Sequence, residues 1–152
     1  MIYRKSQIGW LILGIIVLTI ILLFILFETQ WDDNPLTMVP FVIISILLLI
    51  ILLLFYKLTI EVGGSYLNVI YGIGLINIKL NIDDVLGTKV IRTPWYYGLG
   101  IRFTPRGTLY NIQGLKAVEI TYKNKGMSKS VMVGTAEPEK LKRVLDENFN
   151  RT

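Results

Sequence analysis

The pattern of apolar and polar residues divides the chain into two different parts. Residues 8–27 form a run of 20 residues without a charged side chain, and residues 36–56 form a second run of 21. A helix rises about 1.5 Å per residue, so each run makes a helix of roughly 30 Å, the thickness of a bilayer core. We therefore predict two membrane spans. The alternative is a pair of buried core helices, but the core helices of soluble proteins rarely contain so many consecutive residues without a charge.

The segments beside the two runs predict their orientation. Eight residues with three acids and no base, 28–35, join the runs, and so short a connection requires an antiparallel hairpin. Arg4 and Lys5 precede the first run, and Lys57 follows the second. The positive-inside rule then places both termini in the cytoplasm of a multi-pass cell-membrane protein. A cleaved signal peptide is the alternative for the first run, but the run is too long and no small-residue cleavage site follows it.

Neither run contains an ionisable residue. Transporters and pumps usually place ionisable groups at mid-membrane, because moving ions or protons requires them. The pattern therefore favours a simple anchor in the lipid bilayer, and a homo-oligomeric pore lined by Thr19 or Ser45 is the alternative.

Residues 57–152 alternate between apolar and polar with a period of two, which is typical of half-buried strands. We expect about seven antiparallel strands, or eight if one breaks at a corner, with Leu99, Ile101 and Phe103 pointing inward on the fifth. The predicted segments are 58–62, 66–71, 75–80, 86–92, 99–103, 108–113, 116–122 and 130–133. Apolar residues then return at helical spacing after a candidate N-cap at Thr135, which predicts a closing C-terminal helix at about 136–149.

The composition excludes most catalytic chemistry. Apolar residues make up 53% of the 152 residues and charged residues 18%, and there is no His and no Cys. A Ser-His-Asp triad, a thiol nucleophile and a His- or Cys-ligated zinc are therefore impossible. The adjacent acids Asp83 and Asp84 have no third ligand at a recognisable spacing and indicate a solvated corner. We expect no enzymatic activity, no metal and no cofactor.

Residues 57–152 carry 14 Lys and Arg against 8 Asp and Glu, a net charge of +6. Three aromatic residues stand in a predicted loop among several of these basic residues, an arrangement that suits a membrane interface or the anchor of a partner. In the alternative interpretation, two of the three rings fill one end of the barrel. The candidate residues for contact with a partner or a lipid are Lys89, Arg92, Trp95, Tyr96, Tyr97, Arg102 and Arg106.

Seven antiparallel strands followed by one C-terminal helix is the arrangement of pleckstrin-homology (PH) domains. The segments WYYGLGIR at 95–102, YNIQG at 110–114, AVEI at 117–120 and VGTAEPEKL at 133–141 resemble bacterial PH-like domains. The resemblance covers roughly residues 57–149. It implies a PH-like domain next to one or two membrane spans, with a binding or scaffolding role and no enzymatic activity. Phosphoinositide-binding PH domains use a longer, basic loop where this chain has the uncharged Gly63–Ser65.

We therefore expect a two-helix transmembrane hairpin followed by a mainly β PH-like barrel or sandwich, residues 57–152. Its expected role is that of a membrane-anchored, non-enzymatic interaction module, which docks a protein partner or assembles with itself at the cytoplasmic membrane face. The alternative is recognition of anionic lipid headgroups by the basic face. Nucleic acid is not an expected partner, because the strand count is too high for a nucleic-acid-binding OB barrel.

Overall fold

A computed structural model describes residues 2–29, 36–82, 84–124 and 126–149 of the chain. Within these ranges it contains two long helices near the N-terminus, nine strands and a C-terminal helix. The elements are β1 Tyr3–Ile8, α1 Trp10–Thr29, α2 Met38–Phe55, β2 Lys57–Val62, β3 Tyr66–Tyr71, β4 Ile76–Asn81, β5 Asp84–Arg92, β6 Gly100–Thr104, β7 Gly107–Asn111, β8 Lys116–Asn124, β9 Met127–Gly134 and α3 Pro138–Phe149, with one 3-10 turn at Trp95–Tyr97.

Helices α1 and α2 are long and apolar enough to cross a membrane. They pack against each other at one end, where the rings of Phe27 and Phe41 stack with their centroids 4.5 Å apart. Most of their apolar side chains are exposed. A core helix of a soluble protein would bury such side chains, whereas a bilayer covers them. The predicted acidic connection lies mostly outside the described residues, since residues 30–35 are not among them.

Strand β1 is the element that the sequence analysis did not predict. It pairs with β2 in antiparallel register, from Tyr3 opposite Val62 to Ile8 opposite Lys57. A single residue separates each strand from its helix, and the N–H of Gly9 donates to the carbonyl oxygen of Tyr56 over 2.9 Å. The helical hairpin is therefore an insertion between two neighbouring strands of one sheet. Cleavage of the first apolar run as a signal peptide would remove β1 from that sheet.

The basic residues of β1 are held by acidic partners in the rest of the domain. Arg4 Nε lies 3.2 Å from a carboxylate oxygen of Glu61 on β2, and Lys5 Nζ lies 2.5 Å from Glu137 Oε1 just before α3. The residues that flank the first span in the sequence are thus part of the sheet structure.

The strands form two sheets, with orders β1-β2-β3-β4 and β5-β8-β9-β7-β6. The expectation of a barrel or sandwich of about seven antiparallel strands is therefore corrected in two respects: the strands do not form a single seven-strand barrel, and they are not all antiparallel. The eight predicted strand segments correspond to β2–β9, and β1 adds a ninth strand. Strands β7 and β9 pair in parallel, with Thr108 opposite Val131. Local alternation shows where a strand is, but it does not show which distant strand is its partner, and this is the physical reason for the difference.

Both sheets and α3 contribute to one hydrophobic core. The predicted C-terminal helix is confirmed, and it begins at Pro138, since proline suits the first helical position. Just before it, the N–H of Glu137 donates to Thr135 Oγ1 over 3.2 Å. Residues with less than 2% of their surface exposed include Leu58, Ile60, Leu67, Tyr71, Ile112, Ile120, Leu141 and Leu145.

The turn between β3 and β4 packs against the C-terminal end of α2. The N–H of Ile73 donates to Leu53 O in the last turn of α2 over 3.2 Å, and the N–H of Gly72 donates over 2.7 Å to Lys57 O at the start of β2. Gly72 has a φ of +55°, and a Cβ at this position would collide with the carbonyl oxygen of Leu53. Only glycine allows this approach without strain. The first sheet is therefore fixed to the end of the second helix.

We expect a soluble variant that retains β1 to fold without the helices. In this variant Asn-Gly replaces residues 10–55, because these two residues favour the tight turn that would join Gly9 to Tyr56. We expect one cooperative thermal transition by circular dichroism.

The matched comparison is the fragment 57–152, which lacks β1 and with it Tyr3, only 7% exposed. Loss of a buried aromatic ring alone costs about 3 kcal/mol. The fragment should therefore unfold at a clearly lower temperature, and equal midpoints would show that β1 does not belong to the stable core.

The Lys5–Glu137 contact predicts a specific acid response. The hydrogen bond from Lys5 lowers the pKa of Glu137 below its ordinary value of 4.5. A lowered carboxyl pKa stabilises the fold above about pH 4.5, and this contribution is lost as the pH falls through the lowered pKa. We expect Lys5→Gln to reduce the dependence of the thermal midpoint on pH below 4.5 in detergent-solubilised full-length protein. An unchanged pH profile would contradict this assignment. Lys129→Gln is the control, because Lys129 is exposed and forms no salt bridge among the described residues.

Candidate membrane-facing interaction site

Three parts of the sheet region contact the ends of α1 and α2. The first is the turn at residues 72–75, which bonds to α2 as described above. The second is the segment Leu99–Arg102, which lines a groove together with both helices. The third is Gln113, whose Oε1 accepts a hydrogen bond of 3.3 Å from the backbone N–H of Trp10, the first residue of α1. We call the surface formed by residues 72–75, 99–102 and 113 the span-proximal face.

The groove at Leu99–Arg102, called here the helix groove, has a volume of about 520 Å³ and is mainly apolar. Ile15 lies five residues after the start of α1, so the groove extends roughly 7 Å along the helix from its end. The other wall consists of Leu99, Gly100, Ile101 and Arg102, and the helices contribute Leu11, Ile12, Ile15, Ile51 and Phe55.

Tyr71 holds the β6 wall of this groove in place. Its hydroxyl oxygen lies 3.2 Å from Gly100 O on β6 and 3.4 Å from Asn111 O on β7, and these two carbonyls share its one proton. Its ring meets that of Phe55 edge to face with centroids 5.7 Å apart. Burial raises the pKa of Tyr71 further above its ordinary value of 10.0, and the hydroxyl is protonated and able to donate at physiological pH in either case. Gly100 has a φ of +90°, a conformation that other residues rarely adopt. One side chain thus connects β3, β6 and the end of α2.

A second groove, called here the basic groove, has a volume of about 390 Å³ and includes Arg92 and Lys116. These two residues are direct cross-strand neighbours on β5 and β8, and both are exposed. Among the described residues neither forms a salt bridge. Like charges directly opposite each other destabilise a sheet unless an anion offsets them. The groove also contains Gln113, which contacts the start of α1, so the two cations lie near the end of the first helix.

Two acidic residues adjoin this groove. Glu137 and Glu139 line a neighbouring depression that also includes Arg92 and Lys116. The carboxylate oxygens of Glu137 lie 2.5 Å from Lys5 Nζ and 3.7 Å from Lys140 Nζ. Among the described residues neither acid forms a salt bridge with Arg92 or Lys116, so the two cations keep N–H groups for an external anion.

The three aromatic residues of the 3-10 turn differ in their surroundings. Trp95 is 80% exposed and Tyr96 is 67% exposed, with their ring centroids 6.1 Å apart. Tyr97 is half-buried and packs against a small cluster on the second sheet, formed by Leu109, Ala117 and Met132 with Ile91 beside it. One ring is therefore structural, and two are exposed between Arg92 and the β6 wall. The alternative interpretation packed two of the three rings against the rest of the domain, whereas only Tyr97 is packed here.

The structure separates the other predicted contact residues from the helix ends. Lys89 is exposed on β5 opposite Glu119, three residues and so roughly 10 Å along the strand from Arg92. Arg106 lies in the turn after β6, at the end of that strand remote from Gly100, roughly 13 Å away along the strand. Two of the predicted basic residues lie near the ends of the helices. Arg102 lines the helix groove, which both helices help to form. Arg92 lines the basic groove, which also contains Gln113, the residue that contacts the start of α1.

Two features of the site differ from the sequence analysis. Phe103 was predicted to point inward, but it is 89% exposed, because β6 is an edge strand and nothing among the described residues covers this side. Lys116 and Gln113 were not among the predicted site residues. Lys116 stands in an alternating strand pattern, and only the register between β5 and β8 reveals that it faces Arg92.

The groups available at this site are those of a binding surface. In the part of the chain that the structure describes, no three acidic side chains lie close enough together to hold a metal ion. What the two grooves offer instead is guanidinium, ammonium, amide and aromatic groups, which bind anions and interfacial lipid.

In comparisons with protein-family models, curated proteins and solved structures, nothing matches this chain.

The contrast between Tyr97 and Trp95 is testable. Tyr97→Ala should lower the free energy of unfolding by about 1–2 kcal/mol, because it removes a ring that packs on the second sheet. Trp95→Ala should change it by less than about 0.5 kcal/mol, because the ring is exposed. Denaturant unfolding of the detergent-solubilised full chain measures both values. Equal effects of the two substitutions would contradict the assignment of Tyr97 as the structural ring.

Proposed function

We propose that this protein is a membrane-anchored, non-enzymatic PH-like module whose sheet region engages anionic lipid headgroups at the cytoplasmic face of the membrane. One observation carries the proposal. The adjacent cations Arg92 and Lys116 share a groove with Gln113, which bonds to the first residue of α1. Basic residues close to an anionic leaflet each contribute about 1 kcal/mol of attraction.

The junctions between helices and strands support this proposal. Only Gly9 separates β1 from α1, and only Tyr56 separates α2 from β2. Such junctions, with the hydrogen bonds of Ile73 and Gln113 to the helices, keep the span-proximal face beside the helix ends. Charges interact over about 8–10 Å at physiological ionic strength. Residues fixed this near to a span end are therefore within range of the lipid headgroups.

The PH-like assignment and the orientation form part of the same proposal. Two sheets that enclose one core with a C-terminal helix are consistent with the PH arrangement. The uncharged Gly63–Ser65 turn follows Val62, at the end of β2 opposite to its junction with α2. Headgroup contact through the span-proximal face does not need that loop. The basic residues Arg4, Lys5 and Lys57 beside the spans favour a cytoplasmic location for both termini.

A second candidate function is docking of a protein partner or of another copy on β6. It is favoured by Phe103, which is 89% exposed on an edge strand. Edge strands present unpaired backbone groups, and an exposed aromatic residue next to them can anchor a partner.

Hydrogen exchange of the full-length protein in lipid nanodiscs tests the headgroup proposal. One set of discs contains phosphatidylcholine alone, and the other contains one third phosphatidylglycerol. We expect slower exchange of the amides in residues 92–97 and 113–117 in the anionic discs. The difference should disappear at high salt, because salt screens exposed charges.

Arg92→Gln and Lys116→Gln should each weaken this protection. Lys129→Gln is the matched control, because Lys129 is an exposed lysine near the other end of β8 and β9, opposite Tyr122. Identical exchange in both disc types at low salt would refute headgroup contact. Protection confined to β6 that appears as protein concentration rises would favour self-assembly instead.

A further inference from the structure

We propose that the helix groove is a binding site for a single anionic phospholipid molecule. Its phosphate would lie at Arg102, and one acyl chain would lie along the apolar side chains of α1 and α2. This inference goes beyond the headgroup contact at Arg92 and Lys116, because it uses a different groove and requires an acyl chain as well as a phosphate.

The helix side of the groove suits an acyl chain. Leu11 and Ile15 on α1 and Ile51 on α2 are all about half exposed, and Phe55 also lines the groove. Apolar side chains of this kind are stabilised when hydrocarbon covers them, by about 25 cal/mol for each Å² removed from water. The volume of about 520 Å³ lies within the range of ordinary small-molecule sites.

The β6 side of the groove suits a phosphate. Arg102 is exposed, and among the described residues its only side-chain hydrogen bond uses Nε, which donates to Leu99 O over 3.3 Å. The N–H groups of the two terminal guanidinium nitrogens can therefore donate hydrogen bonds to an anion. A guanidinium group forms paired hydrogen bonds with phosphate oxygens, and these bonds are strong where apolar surface excludes water.

Contacts within the chain hold the two walls of the groove together. Tyr71 bonds to Gly100 and packs on Phe55, so both walls are fixed relative to each other. A preformed site reduces the ordering cost of binding.

The position of the groove identifies its occupant. Its apolar floor belongs to helices that are long and apolar enough to cross a membrane, and it extends from the helix end toward the middle of the helix. An occupant must therefore combine a hydrocarbon chain at that depth with an anion at the level of the helix end. A phospholipid has this arrangement of groups, and the bilayer supplies it continuously.

Native mass spectrometry of the full-length protein tests the proposal. The protein is stripped of lipid in detergent and then titrated with dioleoyl-phosphatidylglycerol, or with dioleoyl-phosphatidylcholine for comparison. We expect one phosphatidylglycerol molecule per chain to bind with saturation and more tightly than phosphatidylcholine. Arg102→Gln should weaken this binding about tenfold or more, as expected for loss of a charge-assisted contact. Arg106→Gln, which removes a charge at the other end of β6, should leave it unchanged.

A second pair of variants tests the acyl chain. Ile15→Phe places a larger apolar side chain in the groove and should compete with the lipid. Ile21→Phe changes an exposed residue of the same helix outside the groove and should have no effect. Both substitutions keep the helix apolar, and equal thermal midpoints would confirm that the fold is retained.

The outcomes separate this inference from the proposed function. The inference would be overturned if lipid binding does not saturate and its extent is the same in wild type, Arg102→Gln and Arg106→Gln. Saturable binding lost in Arg92→Gln but not in Arg102→Gln would also overturn it, while supporting the headgroup contact at the basic groove. A lipid-free dimer that resists lipid addition would assign the groove to a second copy and overturn it as well.

Discussion

The pairing of β1 with β2 is the interaction on which the rest of this structure depends. It joins residues 3–8 to residues 57–62 across the whole helical hairpin, so the two helices leave the sheet from adjacent strands. The bond between Gly9 and Tyr56 continues the ladder to the point where the helices begin. A Cβ on Gly9 would come within 2.8 Å of Ile112 Cγ1, so the junction also fits closely against the chain that follows β7. The helices are therefore built into the sheet structure rather than attached by a linker.

This pairing also marks the limit of what the sequence reveals about the fold. The two long apolar helices, eight strand segments and the C-terminal helix follow from local periodicity, which does not depend on distant contacts. In β1 the residues Arg4, Lys5, Ser6 and Gln7 look like a basic flank of a membrane span. Their role as a strand becomes visible only when β2 is placed beside them. The parallel pairing of β7 with β9 is hidden for the same reason.

The candidate site shows a similar division. The aromatic and basic residues from Arg92 to Arg102 could be identified as a cluster, because they are close in sequence. Their relation to the helices could not, because it depends on the rotation of the sheet region about the Tyr56–Lys57 junction. The contacts of Gln113 with Trp10 and of Tyr71 with Phe55 and Gly100 fix that rotation. Phe103 was placed inside in error. It shares a face of β6 with Ile101, which packs against the core, but Phe103 itself is 89% exposed. Alternation predicts which residues share a face, and it does not show how far along an edge strand the core extends.

In a peripheral protein, contact with lipid headgroups supplies much of the membrane affinity. In a protein whose helices are long and apolar enough to cross the membrane, such a contact has a different role. In the proposed arrangement Arg92, Arg102 and Lys116 lie near an anionic leaflet, and together they would supply about 3 kcal/mol of attraction. That energy is small beside the burial of two apolar helices, so it adds little to membrane anchoring. Its effect must instead be local: it can select the lipids next to the helices or hold the exposed rings of Trp95 and Tyr96 at a fixed depth. Because the junctions prevent the sheet region from turning away, even a weak preference for anionic lipid would act on every molecule.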